Sequence, residues 1–206
     1  LTVAQGITAT VTDASVPAET LEAIDAQTTG LVTVTGAAIE GNYTDVNVVL
    51  DAAALATPTI AGLSAINVTL DASVNDVNHD ATAAYTNAKI NTVIGKTTGL
   101  VTATSSSVEI NDFLAGNAVL AETGHNISIN VDTIGGADSY TAASLITLNG
   151  LTTGLISCTE THRLTGSAAD LKTVLAANTA AASVVAGTQL TGLENNVVTV
   201  TGATLT

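Results

Sequence analysis

The chain has 206 residues and a formal net charge of −14; 46% of its residues are apolar but only 2% are aromatic. Its four basic residues, Lys89, Lys96, Arg163 and Lys172, cannot neutralise a phosphate backbone, so nucleic acid is excluded as a partner, and an anionic membrane surface would repel the chain. With no Trp and no Met, the core must be Ala, Val, Leu and Ile, a thin regular filling unlike the aromatic-anchored pocket of a small-molecule enzyme.

Taken in chain order, Ile7-Thr8-Ala9-Thr10-Val11-Thr12 alternates with period two and predicts a strand. A helix is expected over residues 17–26, with Leu21 and Ile24 inward. Thr28-Thr29-Gly30-Leu31-Val32 then opens a strand with Val32 and Val34 on one face and Thr33 and Thr35 on the other. Helical spacing returns over residues 44–56. Ala61-Gly62-Leu63 leads into the alternating run Ile66-Asn67-Val68-Thr69-Leu70. A helix is predicted over residues 81–94, with Tyr85, Ile90 and Ile94 in the core. Thr97-Thr98-Gly99-Leu100-Val101 repeats the earlier phrase, and Gly124 leads into Ile127-Ser128-Ile129-Asn130-Val131. After a helical stretch at 141–148 comes a third copy, Thr152-Thr153-Gly154-Leu155-Ile156. The best helix runs over 167–175, with Leu171, Val174 and Leu175 on one face. Ser167 and Asp170 are spaced like a capping box, although the usual partner is Glu or Gln. Thr191-Gly192-Leu193 precedes a last strand at Val198-Thr199-Val200-Thr201.

One grammar runs through these segments: a Gly turn, a Val/Thr strand, a polar turn and an Ala-rich helix ended by Gly or Thr-Thr-Gly. The unit is roughly 27–35 residues, the range that marks solenoids and arrays. Alternating strand and helix makes a parallel sheet. The expected fold is therefore α/β: a solenoid of strand–short-helix repeats with a parallel sheet. Residues 1–206 would form a single repeat-array domain of about six or seven degenerate units. A β-solenoid with short helices at the corners is the alternative.

The phrases Ala142-Ala143-Ser144-Leu145-Ile146-Thr147-Leu148-Asn149-Gly150-Leu151-Thr152-Thr153-Gly154 and Leu164-Thr165-Gly166-Ser167-Ala168-Ala169-Asp170-Leu171-Lys172-Thr173-Val174-Leu175-Ala176-Ala177-Asn178-Thr179 carry a resemblance. They resemble the Thr/Ala-rich repeats of giant secreted bacterial cell-surface proteins of the marine cyanobacterial type. The likeness covers most of the chain but lies in low-complexity motifs. It implies an extracellular or cell-surface location and a fibrous, sheath or array-forming role. It carries over no catalytic residue, and the glycine-rich nonapeptide calcium motif found in that company is absent. No apolar run reaches the length of a membrane span, so no membrane insertion is expected. No basic n-region precedes an apolar h-region, so no signal peptide is read. Starting at Leu1 without any Met, the chain is expected to be a processed product or a fragment of something longer.

Calcium is the one candidate cofactor. Asp76, Asn78 and Asp80 are spaced like the first ligands of a calcium loop, and Asp71 could complete an irregular set. Ala81 stands where the turn-forming Gly would be, and Asn87 where the Glu would be, so a solvated turn is the competing reading. His79, His125 and His162 have no ligand spacing and are expected at the surface. Cys158, on the face of Ile156, reads as a buried small hydrophobe. No Gly-x-Ser-x-Gly is present, and Tyr43, Tyr85, Tyr140 and Phe113 are too few and too scattered for a sugar platform, so no enzyme is expected.

A Thr-rich face is the remaining candidate, formed by Thr33, Thr35, Thr102, Thr104, Thr199 and Thr201. Such rungs resemble those of ice-binding solenoids, but Asn67/Thr69/Asp71 and Ser128/Asn130/Asp132 interrupt them, and Thr is an ordinary solvent-facing strand residue. The expected function is an extracellular structural repeat protein, part of a filament, sheath or surface layer. Copies would stack end to end, as a homo-oligomer or fibre through the chain ends. The alternative is an adhesin or an ice- or glycan-binding module using the Thr face.

Overall fold

The computed structural model describes residues 6–71, 85–106, 110–114, 124–131, 139–158, 163–178 and 190–202. Its contacts divide the chain into two compact units: Leu1–Tyr85 with Lys89–Ala103, and Thr86–Ala88 with Thr104–Thr206. The architecture is α/β. All strand pairs with a defined register run parallel, and none of the sheets closes on itself.

The first unit opens with β1 (Ala9–Val11), β2 (Ser15–Pro17) and α1 (Ala18–Asp25). It continues through β3 (Val32–Val34), β4 (Ala38–Gly41), α2 (Tyr43–Ala54), β5 (Ile60–Ala61) and β6 (Asn67–Leu70). Most of α3 (Asn87–Ile94) and of β7 (Val101–Ser105) closes it. Two ladders run through the unit. One joins β1, β3 and β5, with Ala9 beside Val32 and Val32 beside Ile60. The other joins β2, β4, β6 and β7, with Val16, Ile39, Val68 and Val101 on successive rungs. Apart from the half-buried Ala9, these rungs are fully or nearly fully buried, and Thr33, Thr69 and Thr102 alternate with them as half-buried side chains. Period-two alternation thus places the aliphatic core on one face.

The second unit repeats the plan with α4 (Ile110–Leu114), β8 (Asn126–Asn130), β9 (Ser139–Thr141), α5 (Ala142–Asn149) and β10 (Ile156–Ser157). After these come β11 (Arg163–Gly166), α6 (Ala168–Ala177), β12 (Leu190–Thr191), a 3-10 turn at Leu193–Asn195 and β13 (Val197–Val200). Here β8, β10 and β12 share one ladder, and β9, β11 and β13 another.

Several strands enter a helix with at most one residue between, and that residue is a cap. Asn42 follows β4 and accepts from Asp45 N at 3.0 Å. Thr141 ends β9 and accepts from Ser144 N at 3.1 Å. Ser167 follows β11 and accepts from Asp170 N at 3.1 Å. Each side chain satisfies an N–H that the first helical turn leaves without a partner.

The strand–helix alternation and the positions of α1, α2, α3, α5 and α6 agree with the sequence reading, while α4 is additional; the other differences are local. The short pre-helix strands β2, β4, β9 and β11 are additional, because runs of three or four residues are too short to show an alternation in sequence. On α6, Leu175 is 44% exposed, and the inward face is Leu171, Val174 and Ala177. On α1, Leu21 is buried but Ile24 is only half-buried. The described helix α3 begins at Asn87, and Tyr85 stands before it, buried with Ile90 and Ile94. No helix among the described residues is long and apolar enough to cross a membrane.

Candidate functional site

The feature with the most defined geometry is the repeated Thr-Thr-Gly turn. In each copy the first Thr donates its hydroxyl to a backbone carbonyl one repeat earlier and accepts from the N–H of the following Gly. Thr97 Oγ1 donates to Ile66 O at 2.6 Å and accepts from Gly99 N at 3.0 Å. Thr152 Oγ1 donates to Ile127 O at 2.7 Å and accepts from both Ile127 N and Gly154 N at 2.9 Å. Thr28 Oγ1 donates to Ile7 O and accepts from Gly30 N at 2.9 Å. The second Thr strengthens two of these locks: Thr98 and Thr153 each donate through both backbone N–H and hydroxyl, to Ser64 O and His125 O respectively.

The glycine is required for a steric reason. A Cβ on Gly30, Gly99 or Gly154 would fall against the backbone of Ile7, Ile66 or Ile127, well inside van der Waals contact. The motif is therefore a staple that holds one turn of chain against the preceding turn. Its Thr97 and Thr152 side chains are buried. Sequence reading found the phrase as a repeat marker and missed this role. The signal was there in a Thr two residues before Gly30, Gly99 and Gly154, a spacing that lets a hydroxyl accept from the Gly N–H.

The Thr face is distributed over separate ladders. Thr33 lies in the β1-β3-β5 ladder between Thr10 and Ala61, and Thr35 follows it, exposed. Thr102 lies in the second ladder beside Thr69, whose other neighbour is Glu40. Thr104 is half-buried farther along β7. Thr199 belongs to the ladder Thr141–Thr165–Thr199, followed by the exposed Thr201. Thr35 and Thr165 each donate a hydroxyl to a neighbouring-strand carbonyl, Val11 O and Tyr140 O, so part of the hydroxyl capacity is already used.

Of the calcium candidates, Asp71 is described: it is half-buried and its N–H donates to Gly41 O at 2.9 Å. Asp76, Asn78 and Asp80 lie outside the described residues, as do His79 and His162. Among the described residues no group of three His, Cys, Asp or Glu is gathered to hold a metal. His125 is buried at 8% exposure, not on the surface. The staple explains this, since Thr153 N and the Thr153 hydroxyl both close on the His125 carbonyl. Cys158 is fully buried, and burial pushes its thiol up to about 12, so it holds its proton at neutral pH and serves as core.

Two cations of the first unit have identifiable work. Lys96 Nζ donates to Asn47 Oδ1 at 2.6 Å and pairs with Asp51, both on α2. The Lys89 ammonium lies over the Tyr43 ring, 5.3 Å from its centroid. An apolar cleft of about 280 Å³ opens at β1 and α1, lined by Ile7, Ala9, Ala23 and Ile24 among others. It gathers no titratable pair and no nucleophile. Comparison with family models, with curated proteins and with solved structures finds no match for this chain.

Proposed function

We propose that the chain is an extracellular structural repeat protein, an α/β solenoid whose copies stack end to end in a filament, sheath or surface layer. The observation that carries this reading is bonding at one-repeat distance. The staples join residues 21, 31 and 25 positions apart at Thr28, Thr97 and Thr152. Successive strands of each ladder are likewise supplied by successive repeats. A chain held this way gains its stability from neighbouring turns along one direction, as a solenoid does.

Stacking between copies is supported by the edge strands. Ile7 before β1 is 58% exposed, and on β13 Val197, Val198 and Val200 are 62%, 44% and 49% exposed. Apolar side chains on open parallel edges favour addition of another strand. The β2 edge differs. Ala14 O accepts from Ala38 N at 3.1 Å, so alternation turns the backbone of Ser15 and Pro17 to the open side, where Pro17 offers no N–H. Copies would thus meet through the apolar surfaces at β1 and β13, with the backbone ladder interrupted at β2. The extracellular placement rests on the resemblance and the acidic composition, and the reading as a non-enzyme rests on composition.

Sedimentation velocity over a concentration series, with electron microscopy, tests the proposal. Wild-type chain should form concentration-dependent species, and Val198→Lys combined with Ile7→Lys should suppress them. A wild-type chain that stays strictly monomeric and forms no fibres removes the stacking reading.

A further inference from the structure

Glu22 has an unusual setting among the charged side chains of the first unit. It lies on α1 where that helix packs against α2. Its Oε1 is inaccessible and has no hydrogen-bond partner. Asp45 of α2 acts on it, and Asn42 fixes Asp45: Asn42 Nδ2 donates to Asp45 Oδ2 at 2.7 Å, and Asn42 Oδ1 accepts from Asp45 N. Among the described residues, the helix and strands packed on α1 carry no basic side chain. Strands β2 and β3 carry no titratable side chain, β4 carries Glu40, and α2 carries Tyr43, Asp45 and Asp51. On α1 itself, Glu19 and Asp25 add two more carboxyls. Two cations reach α2 at other groups: Lys96 pairs with Asp51, and Lys89 lies over the Tyr43 ring.

We propose that Glu22 makes the α1–α2 contact acid-responsive: the contact tightens when Glu22 takes up a proton and loosens when Glu22 is ionised. The physical reason is that a neutral carboxyl escapes both the penalty of burying a charge and the repulsion from Asp45 and Glu19. Burial first, then Asp45, then Glu19 raise the Glu22 carboxyl above its usual 4.5. The folded state therefore binds the proton more tightly than the unfolded chain. The stabilisation is fully present below the unfolded value and is lost as pH rises through the raised folded value. This slope is opposite to that of ordinary acid denaturation.

Thermal unfolding of the full chain between about pH 4 and pH 8 reads the effect. Glu22→Gln should melt higher than wild type at pH 8, and the gap should close toward pH 4. Asp13→Asn, which removes an exposed carboxylate outside the helix contact, controls for net charge and should show no such convergence. A gap that is constant with pH, or one that Asp13→Asn reproduces, overturns the proposal. Carbon-detected NMR titration of Glu22 in the wild-type chain needs no variant: a midpoint above 4.5 supports the proposal, and one at or below 4.5 overturns it.

Discussion

The two compact units use the same turn and different helices. Thr97-Thr98-Gly99 in the first and Thr152-Thr153-Gly154 in the second make the same hydroxyl-to-carbonyl and amide-to-hydroxyl bonds, and both glycines sit against the preceding backbone. The helices share no such chemistry. In the first unit α1 and α2 carry five carboxylates, Glu19, Glu22, Asp25, Asp45 and Asp51, and lysines from α3 and the turn after it lean on α2. In the second, α5 carries no charge and packs on α6, whose only charged residues are Asp170 and Lys172. In both units, successive turns are thus held by bonds that require a Thr hydroxyl and a Gly at fixed positions. The helix faces vary because exposed charge pairs contribute little to stability.

The largest expected effects attack the shared feature. Gly99→Ala and Gly154→Ala each drive a Cβ into rigid backbone and should cost about 3 kcal/mol or more, read as a fall in melting temperature. Gly30→Ala should cost less, because its obstacle is the exposed Ile7 before an edge strand, which can give way. Gly95→Ala is the control. Its Cβ would meet Asn91 O at an ordinary 3.5 Å and should be nearly neutral. If Gly154→Ala were as mild as Gly95→Ala while Gly99→Ala were severe, the staple would belong to one unit only and the equivalence would fail.

Next come the hydroxyls. Thr152→Val keeps the shape but leaves Ile127 N–H and Gly154 N–H without their acceptor, at a cost of about 2–4 kcal/mol. Thr97→Val strands the single Gly99 N–H and should cost less, about 1–3 kcal/mol. Urea denaturation of both variants checks the order. A reversed order would show that solvent reaches the Ile127 amide once the hydroxyl is gone.

How much of this was legible in the residues follows from range. The α6 helix was readable because Ser167, Asp170, Leu171 and Val174 act within one turn of one another. Val32 and Val34 were readable as a buried face for the same local reason. The partners of Thr28, Thr97 and Thr152 lie more than twenty residues upstream, so their bonds have no local signature. The exposure of Leu175 depends on how α6 sits on its sheet, which helical periodicity alone does not fix. The Thr-face residues were readable as outward-facing, but their division among ladders depends on pairing. Thr-Thr-Gly copies feed different ladders: β3 pairs with β1 and β5, while β7 pairs with β6.

The smallest effect tests the variable side of the comparison. Lys96→Met keeps most of the aliphatic stem and removes the ammonium from Asn47 and Asp51. With 23% of the Lys96 side chain and 56% of the Asp51 side chain exposed, solvent screens the pair, and the expected cost is about 0–1 kcal/mol, shrinking further with added salt. Lys172→Met, on an exposed position of α6, should cost nothing measurable. Melting of both variants at low and high ionic strength makes the comparison. A loss at Lys96 as large as that at Thr97 would mean that the first unit depends on its helix charges as strongly as on its staples. The helices would then be part of the spacing mechanism, and the two units would be built on different principles.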